Sequence, residues 1–233
     1  MELLKNDAYI ALKSENSNGV CRYPICDFTP EFLQWQLEDR MAIFEDIAAK
    51  DIVPSFASHL PVVTTVNRNE ALFPFHTSTK GVGLLPKDEY LQQYCDTFSQ
   101  LIDVSNGNGR KETKRQRVEA IRKFYNSEHI ASNKLGLLEI FRGNSFRNIE
   151  ANPLVSLQFT SAGPHYKSFQ INGIAEIVDS SDLNFQFIWL ARRLFEYESF
   201  HIQHPEYITG YVVWVSEVYD KAPIRGRAGK RLR

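Results

Sequence analysis

Cysteine is scarce in this chain of 233 residues: Cys21, Cys26 and Cys95 form an odd set with no Cys-x-x-Cys spacing. A disulfide framework, a four-cysteine zinc site and a dithiol redox pair are thereby disfavoured, and free thiols, buried or half-buried, are expected. No apolar run approaches the ~20 residues that span a bilayer. The opening "MELLKNDAYIALKSE" lacks the basic start, apolar stretch and cleavage site of a signal peptide, so a cytoplasmic protein is expected. Charge of one sign is not in excess either. With 27 Lys+Arg against 28 Asp+Glu the net charge is -1, which argues against a protein that neutralises phosphate backbones along a whole face. There is no Gly-x-Ser-x-Gly elbow, Walker loop or Rossmann glycine fingerprint. The histidines show no metal-ligand spacing, and His201 and His204, just ahead of Pro205, are expected in surface or capping roles.

What is present is the composition of an ordinary globular chain, 43% hydrophobic and 24% charged. "YIALKSENSNGVCRYPICDF" contains a hairpin turning at Asn18-Gly19. A helix follows over 29–51, with Thr29 as N-cap and Pro30 at its first position. Residues 59–79 form two β-branched or aromatic segments around Asn67–Glu70, and Pro61 and Pro74 belong at strand ends or an edge. Helices are expected over 88–103 and 111–126, joined by a flexible "VSNGNG". The second is rich in arginine and lysine, which suits either a solvated face or attraction of phosphate.

From residue 135 the pattern becomes β: "LGLLEIF", the alternating "PLVSLQFT", and "FQINGIAEIV", in which Asn172-Gly173 marks a bulge or a close backbone approach. A helix capped by Ser180 or Ser181 precedes a last strand, "GYVVWVSEVY", that is apolar on both faces. The fold class is therefore α+β around a mostly antiparallel sheet.

The stretch "EIFRGNSFRNIEANPLVSLQFT" (139–160) concentrates the chemistry. Gly143 breaks a strand, Asn144 or Ser145 caps a short helix, and first-turn amides are left pointing outward beside Arg142 and Arg147. Amides and guanidinium groups in that arrangement receive a phosphate or carboxylate. The same arginines could equally pair with Glu139 or Glu150 at the surface.

Residues "GNSFRNIEANPLVSLQF", then "YKSFQINGIAEIVD" and "VVWVSEVYDKAPIRGR", resemble in order and spacing the FMN-binding split-barrel proteins related to pyridoxamine 5'-phosphate oxidase, over about residues 137–227. The resemblance implies a six-stranded split β-barrel with peripheral helices, and the chain length makes a single domain over 1–233 the expectation, with an N-terminal helical elaboration that includes an insertion at about 88–126. The resemblance also implies a homodimer that holds FMN at the subunit interface. The phosphate would lie against Arg142–Asn148, with Ser145 standing where the oxidases place a lysine and Asn144 where they place an arginine. Ser168 stands where a glutamine often meets the flavin ring, with Lys167 beside it, and His76, Thr77 and Ser78 fall where the ribityl chain and phosphate are met. Arg225 and Arg227 resemble the oxidases' C-terminal arginines, but their surroundings do not match, so vitamin B6 oxidation is not expected.

The leading expectation is an FMN-dependent oxidoreductase of unknown substrate, the cofactor carrying the redox chemistry. No side chain stands out as an obligatory acid, base or nucleophile. The alternative is a non-catalytic split-barrel dimer that binds a flavin or haem as carrier or sensor. Nucleic acid is an unlikely partner and a membrane is not expected.

Overall fold

A computed structural model describes residues 2–13, 19–50, 58–68, 71–161, 166–195, 209–223, 226 and 229–233. Asn18, Asn69, Glu70, His201, His204, Arg225 and Arg227 lie outside these. Among the described residues eleven strands and five helices follow one another, and every pairing between these strands is antiparallel.

Strands β1 (Glu2–Lys5), β2 (Tyr9–Lys13) and β3 (Val20–Pro24) form a small sheet in which Lys13 pairs with Val20, the hairpin expected around residue 18. Its Ile10 and Leu12 pack on Ile174 of the main sheet. Helix α1 (Pro30–Lys50) starts where Thr29 Oγ1 accepts the Phe32 N–H at 3.2 Å. Phe32 then meets Phe159 and Phe169 edge-on at 5.2 and 5.4 Å between ring centroids, and Trp35 stacks on Phe169 at 5.8 Å. This buries α1 against the apolar face of the sheet.

The main sheet contains β4 (Val62–Val66), β5 (Phe75–Thr79), β6 (Val82–Pro86), β7 (Ile130–Leu138), β8 (Leu154–Thr160), β9 (Ser168–Asp179), β10 (Thr209–Asp220) and the short β11 (Lys230–Arg231). Its strand path is β5-β4-β8-β9-β10-β7-β6, with β11 on β10. Pro61 and Pro74 each stand just before a strand, as their missing N–H requires. Strands β5 and β6 lie at opposite ends of this path, yet only Lys80 and Gly81 join them. Six flat strand spacings would hold the ends roughly 29 Å apart, whereas three residue steps reach at most roughly 11 Å. The sheet is therefore rolled. Backbone bonds from Lys80 N to Pro61 O (3.3 Å) and Val82 N to His59 O (2.8 Å) hold the link against the approach to β4.

Strand β8 buries Val155, Leu157 and Phe159 and turns Ser156 and Gln158 outward, the alternation its sequence shows. In β9, Asn172-Gly173 stays within one strand, and the register against β10 shifts between Val215 and Glu217. A Cβ on Gly173 would stand 2.5 Å from the Trp214 carbonyl oxygen, so bulge and close approach coincide there.

Helices α2 (Asp88–Asn108) and α3 (Lys114–Phe124) lie between β6 and β7 in sequence, and α5 (Leu183–Arg193) between β9 and β10. Phe98, Phe124 and Phe187 join all three, with Phe187 4.8 Å from Phe124 and 5.6 Å from Phe98. Several expectations need correction. "VSNGN" (104–108) is not a connector but the last turn of α2: Ser105 is buried, donates to Leu101 O at 2.6 Å and accepts from Thr113 Oγ1 at 2.8 Å. Nor is the α3 basic face wholly solvated. Arg117 is 1% exposed and donates to the carbonyls of Arg110 (2.6 Å) and Leu194. Asp182, rather than Ser180 or Ser181, caps α5, accepting from the amides of Asn184 and Phe185. Strand β7 runs over 130–138 and stops before Glu139, whose carboxylate turns back on the following loop. No helix among the described residues is long and apolar enough to cross a membrane.

Candidate functional site

Helix α4 (Asn144–Ala151) leaves β7 through a sharp loop and packs against β4 and β5. Its N-cap is Gly143, not Asn144 or Ser145, and no side chain caps it. The first-turn N–H groups thus lack an intrahelical or side-chain acceptor, and no acidic residue lies in that turn. Apolar residues at positions 146 and 149 face inward beside Ser145 and Asn148, while Asn144, Arg147 and Glu150 face outward.

Ser145 is 5% exposed and its Oγ lies 3.0 Å from Ser78 Oγ, at the end of β5. Asn148, buried one turn on, donates from Nδ2 to Thr65 Oγ1 at 3.0 Å and Asn67 Oδ1 at 2.8 Å. His76 is half-buried and pairs across the ladder with Thr65; Thr77 is exposed opposite Thr64. Residues from two distant segments, 76–78 and 142–148, are thus brought to one end of the rolled sheet.

The two guanidinium groups do not converge. Arg142 is the one described non-glycine residue with positive φ (44°), and its guanidinium donates to Thr209 Oγ1 at 2.6 Å and lies 5.2 Å from the Phe146 ring centroid. Arg147 stands on the exposed side of α4. Lys167 and Ser168 sit elsewhere. They lie at the start of β9, which β4 and β8 separate from β5. Lys167 Nζ is 3.8 Å from Glu38, and buried Ser168 accepts from Gln158 Nε2 at 2.8 Å.

One part of the site escaped the sequence. Glu139, 6% exposed, accepts from Lys80 Nζ at 2.9 Å and from the hydroxyl of fully buried Tyr211 at 2.5 Å. Its other oxygen accepts the N–H groups of Phe141 and Arg142, each at 3.1 Å. Burial alone would push this carboxyl up, but the hydrogen bonds from Lys80 and Tyr211 and the Lys80 charge outweigh it and hold it below the usual carboxylate range. Burial first, then the bond to Glu139, pushes the Tyr211 phenol far up. Glu139 thus pairs with Lys80, and Arg142 meets it through backbone N–H, not as the surface ion pair that sequence spacing allows. No signal in sequence joins residues 59 and 72 positions apart.

An open groove of about 410 Å³ between α2 and α5, lined in part by Cys95, Asp96, Phe185 and Trp189, shares no residue with this cluster. Among the described residues no group of three or more His, Cys, Asp or Glu is placed to hold a metal.

No protein-family model matches the sequence, and no curated protein matches it. Solved structures similar to this chain include HupZ of Group A Streptococcus (13% identity, 74% of this chain and 90% of that one, TM-score 0.41). They include an FMN-binding protein of Syntrophomonas wolfei (7%, 82% and 90%, TM-score 0.43) and HutZ, the haem storage protein of Vibrio cholerae (14%, 70% and 87%, TM-score 0.39).

Proposed function

We propose that this chain is a six-stranded split barrel that binds FMN and serves as a flavin-dependent oxidoreductase. Counting β5 and β6 as one strand bent at Lys80-Gly81 makes six strands around the rolled sheet: β4, β5–β6, β7, β8, β9 and β10. The observation that carries the reading is the 3.0 Å contact between Ser78 and Ser145. Two segments that the family resemblance separately assigns to one phosphate meet there, beside an uncapped helix start. Two hydroxyls and first-turn amides are donors a phosphate accepts without a lysine. Neutralised by Lys80, Glu139 does not oppose a nearby anion. Arg142, one residue ahead of the Gly143 cap, adds a cation at the same end.

Bound there, FMN would supply the hydride or electron transfer, the protein contributing binding and orientation. The outward faces of β4, β5 and β8 present Val62, Thr64, Phe75, Thr77 and Ser156, with Val62 42% and Phe75 62% exposed. That face is where a second copy would dock in a homodimer. The alternative, a non-catalytic carrier or sensor of a flavin or haem, draws support from the commitment of Glu139 and Tyr211 to each other, which leaves neither free for proton transfer.

The test is the absorbance spectrum of purified protein, with FMN and riboflavin titrated by flavin fluorescence. FMN should bind more tightly than riboflavin, and Ser145→Asp should abolish that difference by placing a carboxylate against the phosphate. Equal binding of the two flavins, before any mutation, refutes the phosphate assignment.

A further inference from the structure

We infer that Glu139 is the positioning residue of this site, acting through the backbone of residues 141 and 142 to set where the Arg142 guanidinium lies. Its carboxylate collects four donors from three parts of the fold: Lys80 in the β5–β6 link, Tyr211 in β10, and two consecutive amides of the β7–α4 loop. Successive backbone N–H groups converging on one anion form a nest, and such a bend needs a residue near the left-handed region. Arg142 supplies it at φ 44°, an unfavourable conformation for a side chain with a Cβ that persists only where its surroundings impose it. Here the imposing group is Glu139. Its carboxylate fills the nest from within, so these two amides are not available to an external anion.

The consequence reaches the side chain. With the backbone bent this way, Arg142 donates to Thr209 Oγ1 at 2.6 Å, and Gly143 is delivered as the cap of α4. Lys80 at 2.9 Å cancels the carboxylate's charge, so the device orients a cation without repelling a phosphate. Glu139 itself is 6% exposed, so it acts from within the fold.

The role of FMN in this inference rests on the function proposed above; the bend does not. Amide hydrogen exchange at residues 141 and 142 in ligand-free protein and FMN affinity are measured for wild type, Glu139→Ala, Glu139→Gln, Arg142→Ala and the Glu139→Ala/Arg142→Ala pair. Glu139→Ala should accelerate exchange at 141 and 142 while β9 and β10 stay protected, and Glu139→Gln, which keeps an amide oxygen for the two N–H groups, should restore part of that protection. Each alanine variant should weaken FMN by about tenfold and the pair by little more, because residues that act as one unit are not additive. Unchanged exchange in Glu139→Ala, or a loss of about a hundredfold in the pair, overturns the inference. Should Glu139→Ala not fold, Glu139→Asp keeps the charge but is a methylene too short to reach both amides, and the same comparison applies. If wild-type protein binds no FMN, the proposed function fails, while the exchange data still decide whether Glu139 holds the bend.

Discussion

Replacing Gly173 by alanine tests the tightest point of the rolled sheet. The added Cβ would lie 2.5 Å from the Trp214 carbonyl oxygen and 2.8 Å from Val213 Cγ1, about 1 Å short of the ~3.5–4.0 Å at which such atoms rest. A side chain could rotate away, but the carbonyl belongs to β10, whose ladder with β9 runs on both sides of this point. Overpacking costs about 1–3 kcal/mol, and a clash with backbone belongs in the upper half of that range. Against it stands a gain of ~0.4–1 kcal/mol from restricting the unfolded chain. A net loss of about 1–2.5 kcal/mol follows, or a Tm lowered by roughly 2–10 °C for a chain of this size. Gly83 is the control. Its nearest atom would be the Gly136 carbonyl at 3.9 Å, and neither glycine has positive φ. Gly83→Ala should therefore be neutral or raise Tm by about 1–4 °C. Thermal unfolding followed by circular dichroism, with urea unfolding to check that m is unchanged, separates the two. Equal effects of the two substitutions would refute the reasoning, since only the close approach distinguishes them.

Three further outcomes are expected. Asp182→Ala removes the α5 cap that accepts from Asn184 and Phe185 and should cost about 1 kcal/mol in urea unfolding, whereas Ser180→Ala and Ser181→Ala, sequence-level alternatives for that cap, should cost less. Because the Glu139 carboxyl is held below its ordinary range in the folded chain, it contributes stability that is full above the unfolded pKa of ~4.3 and is lost as pH falls through the lowered folded value; Tyr211→Phe should shrink that acid-side loss, and an identical pH profile would contradict it. Native protein should show fast labelling by a thiol reagent at exposed Cys21 and almost none at buried Cys95, whose thiol is pushed up by burial to about 11; equal labelling rates without denaturant would show the α2–α5 packing to be wrong.

The N-terminal hairpin, the Thr29 cap, the strand ends at Pro61 and Pro74 and the alternation of β8 were all legible because each is a local preference, set within a few residues by backbone sterics or side-chain spacing. Gly173 was legible for the same reason: a glycine amid strand formers marks a close approach. Strand β6 was not, since "VGLLP" is short and carries a glycine and a proline, and only its pairing with β7 makes it a strand. The convergence of 76–78 with 142–148 entered only as an implication of family resemblance, and the spacing of the residues did not contain it.

Within the candidate site, sequence determined which groups were on offer: two arginines, a glycine break, serines and an asparagine near a helix start. Tertiary structure decided what they do. It sent Arg142 to Thr209 and Arg147 outward, set Ser145 against Ser78, placed Lys167 and Ser168 beyond two intervening strands, and filled the loop's amides with Glu139. The reason is physical. Hydrogen bonds and ion pairs between residues some 60 to 70 positions apart exist only once the sheet has rolled, and nothing in a local stretch encodes how far it rolls.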